Sequence, residues 1–234
     1  MSGGGLDLSF IRDSNQYASL LWAGYPGQSG GVAIAKTIFG QYNPGGRLPV
    51  TYYPASYVDA VSMLDMQMRP SSTNPGLTYK FYTGQPIFEF GYGLSYTTFN
   101  YTWNNQSIIS SYSIQSLMEN GYEEKRVPVQ SIRVNVTNIG SRAGDEVVLG
   151  FMYPPKSSFS DPSPPIKELI GFERIHLDVN ETKEVIIPVH IRSLLTVALN
   201  GSKWLEPGIY PISIGNQSVH TIRLEGTSAQ WSMF

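Results

Sequence analysis

The chain contains no cysteine. Disulfides, thiol catalysis and cysteine-based metal sites are excluded together. Charge is also scarce: Asp, Glu, Lys and Arg make up 15% of the 234 residues, and the net charge is −2. With no Lys/Arg stripe, a nucleic-acid partner has no electrostatic footing. No apolar run approaches the roughly 18 residues a membrane span needs, so no membrane partner is expected. Met1-Ser2-Gly3-Gly4-Gly5 has neither a basic nor an apolar region and does not read as a signal peptide. The three histidines, His176, His190 and His220, are scattered without ligand spacing, and no metal site is expected. Gly3-Gly4-Gly5 and the glycines at 27–31 match neither phosphate-cradling motif and read as close chain packing or a backbone turn.

What is present points to a turn-rich, core-forming protein. Apolar residues make up 41% of the chain, which carries 23 Gly, 16 Pro and 15 Tyr. Residues 20–54 read as one strand–helix–strand unit of an α/β layer. Leu20, Leu21, Trp22 and Ala23 form a short apolar run suited to a buried strand. Tyr25-Pro26-Gly27 breaks it, and Val32, Ala35, Ile38 and Phe39 then recur at helical spacing. Gly40 and Asn43-Pro44-Gly45-Gly46 end the helix. Residues 48–53 return to strand composition. Prolines 54, 70, 75 and 86 break up the loop 54–86, within which residues 78–82 are a short strand candidate.

Beyond about residue 96 the apolar period is two. Ile132, Val134 and Val136 point one way, with Arg133, Asn135 and Thr137 the other. The same alternation is read in Val147, Leu149, Phe151 and Tyr153, in Val185, Ile187 and Val189, and in Tyr210, Ile212 and Ile214. Turn signals separate these runs, which predicts an antiparallel β-sandwich. The expected division is 1–95 as an incomplete α/β layer and 96–234 as the sandwich, with 104–127 as an insertion or linker.

The blocks WAGYPGQSGG, FGQYNPGGRLPVTYYPASY, RPSSTNPGLTYKFY and FEFGYGLSYTTF stand in that order. They resemble the C-terminal part of glycoside hydrolase family 3, within it the β-xylosidase group. NVTNIGSRAGDEVV and PIKELIGFERIHL are similar to the fibronectin type III-like domain that closes many of these enzymes. The resemblance implies the end of an α/β sandwich domain followed by that β-sandwich. It also implies an oligosaccharide substrate and a partner N-terminal (β/α)₈ barrel, which alone takes about 250 residues. In the family the nucleophile is an aspartate of the barrel and the acid/base a glutamate upstream of the first block. No catalytic residue is carried over, and the chain reads as a fragment. A non-catalytic carbohydrate-binding or adhesion module is the rival reading.

Asp59, Asp65 and Glu89 lie in the loop-rich half, where a solvent-facing or loop-capping carboxylate is the favoured reading; burial, which would raise the pKa of Asp65 or Glu89, is the alternative. Asp145 and Glu146 follow a glycine turn and suit turn and edge chemistry. Trp22 and Trp103 read as core, Trp204 and Trp231 as the more exposed pair. The loop 68–82, with its Arg, Lys and Tyr, is a candidate for the rim of an active site. Six N-x-Ser/Thr sequons, at Asn100, Asn105, Asn135, Asn180, Asn200 and Asn216, predict a secreted glycoprotein.

Overall fold

The computed structural model describes residues 3–103, 108–120, 122, 127–155, 164–215 and 217–231. The chain divides into two units. The first comprises Met1–Thr98 with Ile139–Asp145, the second Phe99–Asn138 with Glu146–Phe234.

The first unit contains four helices: α1 (Ser9–Arg12), α2 (Gly30–Ile38), α3 (Tyr57–Ala60) and α4 (Thr78–Phe81). The helix expected after the first glycine turn is α2. Gly40, at φ 69°, takes up the left-handed conformation that ends it. The two flanking strands are not formed as ladders. Residues 20–23 carry no strand, and Leu20 and Leu21 are exposed. Residues 48–52 run antiparallel to 87–92 through the backbone bonds Leu48 N–Tyr92 O (2.8 Å), Gly91 N–Leu48 O (2.8 Å), Tyr52 N–Phe88 O (2.9 Å) and Ile87 N–Tyr52 O (2.7 Å). Only the bridge Tyr52–Phe88 is regular. The physical reason is that a layer strand needs partners on both sides, and these segments find at most one.

Residues 78–82 also differ from expectation, since Thr78–Phe81 is one turn of helix. Leu77 is extended and Thr78 is left-handed, so the chain reverses there and cannot pair. Tyr52, Phe81 and Ile87 are buried in this unit, whereas Val32, Ile38 and Phe39 remain 60%, 64% and 79% exposed. The apolar stripe read from the α2 sequence is real and uncovered.

The second unit is a β-sandwich. Its elements are β1 (Phe99–Thr102), β2 (Ile108–Ser113), α5 (Ile114–Glu119), β3 (Gln130–Asn138), β4 (Gly144–Met152, its first residues counted with the first unit), β5 (Glu168–Leu177), β6 (Thr182–Val189), a 3₁₀ turn (Ile191–Leu194), β7 (Leu195–Val197), β8 (Lys203–Leu205), β9 (Gly208–Ile214), β10 (Gln217–Glu225) and β11 (Ala229–Trp231). One sheet has the order β1-β3-β6, the other β2-β10-β9-β4-β5, and β11-β8-β7 forms a small third. The core is built from both large sheets. Ile132, Val134, Val136, Val185, Ile187 and Val189 face Val148, Met152, Leu177, Tyr210, Ile212, Ile214, Ile222 and Leu224. The phases expected for β3, β6 and β9 are those observed.

One reading changes and another is narrowed. In β4 the buried phase is Glu146, Val148, Gly150 and Met152, while Val147 and Leu149 are half-buried. Apolar residues occupy both phases of DEVVLGFM, so alternation could not choose between them. Of the two readings of 104–127, insertion or linker, the described part has the regular structure of an insertion. Strand β2 adds in parallel to β10 at the sheet edge, and α5 buries Ile114 and Leu117 in the core. The Ser113 side chain caps α5 by accepting from Ser116 N.

The sandwich closes its own ladders over its own core, and the first unit leaves broad apolar surface uncovered. Limited proteolysis of the chain is expected to leave a resistant product from residues 96–234 and to degrade residues 1–95 first, read by mass spectrometry of the surviving peptides. A resistant N-terminal third would contradict the account.

Candidate functional site

The first unit holds the aromatic and polar clusters from which a site would be made. Tyr53 stacks on Tyr57 with ring centroids 4.4 Å apart, and Tyr82 meets both edge-on. The Tyr53 hydroxyl accepts from Thr78 N at 2.6 Å, and Tyr57 donates to the Gly76 carbonyl at 3.2 Å. Burial raises the pKa of all three phenols, so they remain neutral. Thr78 has φ 61°, a costly conformation for a β-branched residue. Gly76, at φ 91°, sits so close that a Cβ would collide with the Phe81 carbonyl.

Asn74 organises this loop, and it went unnoticed as a site residue in the sequence. It is buried, donates to Asp65 Oδ2 at 2.9 Å and to the Gln67 carbonyl at 3.1 Å, and accepts from Gly76 N at 2.8 Å. The legible signal was Asn-Pro-Gly, a turn former. Arg69 lies over the Phe81 ring, 5.0 Å from its centroid.

These bonds decide what Asp65 can do. The Gln67 backbone amide, and then the Asn74 amide, hold its carboxyl below the usual carboxylate range. Asp65 is therefore the loop-capping carboxylate favoured from the sequence, fully ionised at neutral pH and a poor proton donor. Asp59 and Glu89 are exposed.

A hollow of about 630 Å³ opens in the same unit, lined by Leu20, Trp22, Ile38, Tyr52, Phe88 and Tyr92 among others. The Trp22 and Tyr52 rings meet edge-on, and Phe88 stacks on Tyr92. Arg47, which donates to the Gly93 carbonyl, is the one charged side chain of the described lining. Such a lining suits apolar side chains better than acid–base chemistry.

In the second unit Glu146 is buried and accepts from the Tyr101 hydroxyl at 2.6 Å. It is therefore an interior group of the sandwich and not the turn residue that its position suggested. His220 is buried with Nε2 3.1 Å from Ser110 Oγ, and desolvation lowers its pKa. His176 is exposed, 3.8 Å from Asp178, and His190 is half-buried. All four tryptophans are half-buried, so the expected contrast between pairs is not observed. Among the described residues no group of three His, Asp or Glu side chains is placed to hold a metal. No described helix is long and apolar enough to cross a membrane. Asn100, Asn135, Asn180 and Asn200 are exposed, whereas Asn105 and Asn216 lie outside the described residues.

Comparison with known proteins adds the context that the geometry lacks. Residues 1–96 match the glycosyl hydrolase family 3 C-terminal domain, and residues 146–218 a fibronectin type III-like domain. Exo-1,4-beta-xylosidase xlnD of Aspergillus awamori is 38% identical over 221 residues, 92% of this chain and 27% of that protein. Probable beta-D-xylosidase 7 of Arabidopsis thaliana is 38% identical over 234 residues, 94% of this chain and 30% of that protein. A solved GH3 exo-beta-xylosidase (XlnD), in complex with a xylobiose aziridine activity-based probe, superposes with a TM-score of 0.90 at 34% identity, covering 98% of this chain and 31% of that one. The chain thus spans less than a third of the length of these relatives.

Two outcomes are expected at the loop. Asn74→Ala removes three hydrogen bonds, the one from Gly76 N buried and the other two part-buried, so the loop should lose local stability, read as reduced amide-exchange protection at Gly76 and Gln67. Because the folded-state pKa of Asp65 lies below its ordinary 3.8, its contribution is complete above that pH. It is lost as pH falls through the lower folded value. Protection of the loop amides, measured against their intrinsic exchange rates, should fall over that acid range, and Asp65→Asn should abolish the pH dependence of that protection.

Proposed function

The chain belongs to glycoside hydrolase family 3, and from that premise we propose that it is the C-terminal portion of a secreted exo-acting β-xylosidase. The parent protein removes xylosyl residues from the non-reducing ends of xylo-oligosaccharides, and needs no cofactor. The observation that carries this reading is the close superposition of nearly the whole chain on an exo-β-xylosidase.

The parent works by retention. One carboxylate attacks the anomeric carbon while a carboxylic acid protonates the departing glycosidic oxygen. Water, deprotonated by that second group, then releases the sugar. On this reading both carboxyl groups belong to parts of the parent that precede these residues. The local chemistry agrees, because the Asp65 pKa is shifted in the wrong direction for a proton donor.

This chain supplies support. The apolar side chains of the open hollow, and the exposed Leu20, Leu21, Val32, Ile38 and Phe39, form the face that the rest of the α/β domain covers. The buried Tyr52 hydroxyl has no hydrogen-bond partner among the described residues, a cost that a covering segment removes. The tyrosine loop of residues 68–82 lies toward the rim of the active site in the parent.

Purified chain 1–234 is expected to show no hydrolysis of aryl β-xylosides above background. Mixing it with a separately produced N-terminal portion of the parent should restore turnover. Robust activity of the chain alone, abolished by Asp65→Asn or Glu89→Gln, would overturn the proposal.

A further inference from the structure

Three of the six sequons come together on one surface. Asn100-Tyr101-Thr102 is on β1, Asn135-Val136-Thr137 on β3, and Asn180-Glu181-Thr182 leads into β6. A sequon on a strand places its asparagine and its hydroxyl residue on the same face, since side chains alternate. In β1 and β3 the intervening Tyr101 and Val136 point into the core, so the acceptor positions point out.

The register then interlocks them. Asn100 pairs with Thr137, Thr102 with Asn135, and Thr137 with Thr182. Each asparagine of the first two sequons therefore stands opposite the hydroxyl residue of the other. The Asn100 and Asn135 acceptors are diagonal cross-strand neighbours, about 7–8 Å apart. The Thr137 and Thr182 hydroxyls are 2.8 Å apart, tying the third sequon to the same row. Asn180, at φ 64°, is exposed at the turn before β6 and is held by its amide to the Asn138 carbonyl.

We infer that the outer face of the β1-β3-β6 sheet is a glycan-bearing face, with N-linked sugars on Asn100, Asn135 and Asn180 together covering it. The reaction uses a lipid-linked oligosaccharyl diphosphate. The Asn Nδ2–anomeric carbon bond forms, the bond from that carbon to the diphosphate oxygen breaks, the diphosphate leaves with the lipid, and the amide proton passes to solvent. Two consequences follow from the sheet order. Strands β1 and β6 are both edges, where unpaired backbone invites pairing with another chain, and sugar at each edge blocks it. The outward Ile186 of β6, 42% exposed, lies on the face the sugars cover.

The inference rests on the reading of the parent as a secreted protein. The test is to secrete the full chain from a yeast host, map all six sequons by glycopeptide mass spectrometry, and footprint the product with hydroxyl radicals before and after enzymatic deglycosylation. Asn100, Asn135 and Asn180 should all be occupied. Labelling of Ile186 should rise severalfold on deglycosylation, while labelling of Ile209, 50% exposed on β9 of the other sheet, stays unchanged. Sugar on Asn105, Asn200 or Asn216 with any of the three empty would overturn the glycan face and leave the secretory reading intact. A product bare at all six positions would overturn the secretory reading. Full occupancy with unchanged Ile186 labelling would overturn the covering role.

Discussion

The two-sided pairing of β3 sets the sandwich. It hydrogen-bonds β1 on one side and β6 on the other, so a single register fixes three strands at once. A slip of one residue would turn Ile132, Val134 and Val136 outward and drive Arg133, Asn135 and Thr137 into the core. The penalty falls on both sides of the mismatch: apolar area returns to water, and polar groups lose it. Arg133 and Glu184, paired at 2.6 Å across β3 and β6, mark the correct register on the outside, although an exposed pair adds little energy of its own. The same register decides which sequon residues meet.

The two units satisfy their backbones differently. A sandwich satisfies its backbone within its own sheets, and its helix and small third sheet close over the ends of the core. An α/β layer is not self-sufficient, because each interior strand needs a ladder on both sides. In the first unit, 48–52 pairs with 87–92, and 20–23 carries no strand. Side-chain hydrogen bonds hold other parts of this unit. Asn43 accepts from Ser95 Oγ and Tyr96 N and donates to the Ala143 carbonyl, while Arg142 donates to the Gly40 carbonyl. These bonds fix the turn at Ile139–Asp145 within the first unit.

What could be read from the sequence follows the same division. Where apolar residues occupied one phase only, as in β3, β6 and β9, the alternation identified both the strand and its inner face. In β4 both phases were apolar, and the inner phase includes Glu146, whose hydrogen bond from Tyr101 no local pattern announces. The α2 helix was legible from spacing and its glycine stop. The turn at Thr78 was not, because a left-handed threonine contradicts its own propensity and is held by a hydroxyl 25 residues away in Tyr53. Strand β2 escaped because an edge strand beside solvent needs little apolar content.

The carboxylates show why composition alone could not settle the chemistry. The flanking Leu64 and Met66 left Asp65 two readings, a loop cap and, less favoured, a carboxyl that burial would push toward protonation. Its neighbours in sequence are exposed, however, and its neighbours in space are two amide donors that favour the charged form. Glu146 looked like a turn residue and is buried, and its proximal donor is a tyrosine. Each carboxylate is thus engaged in structural hydrogen bonds, which fix a loop in the first case and join two strands in the second. A glycosidase needs the opposite arrangement, two carboxyl groups facing an open gap wide enough for a sugar and held in different protonation states. Groups already engaged in closed hydrogen bonds cannot be spared for that role without loosening the elements they hold.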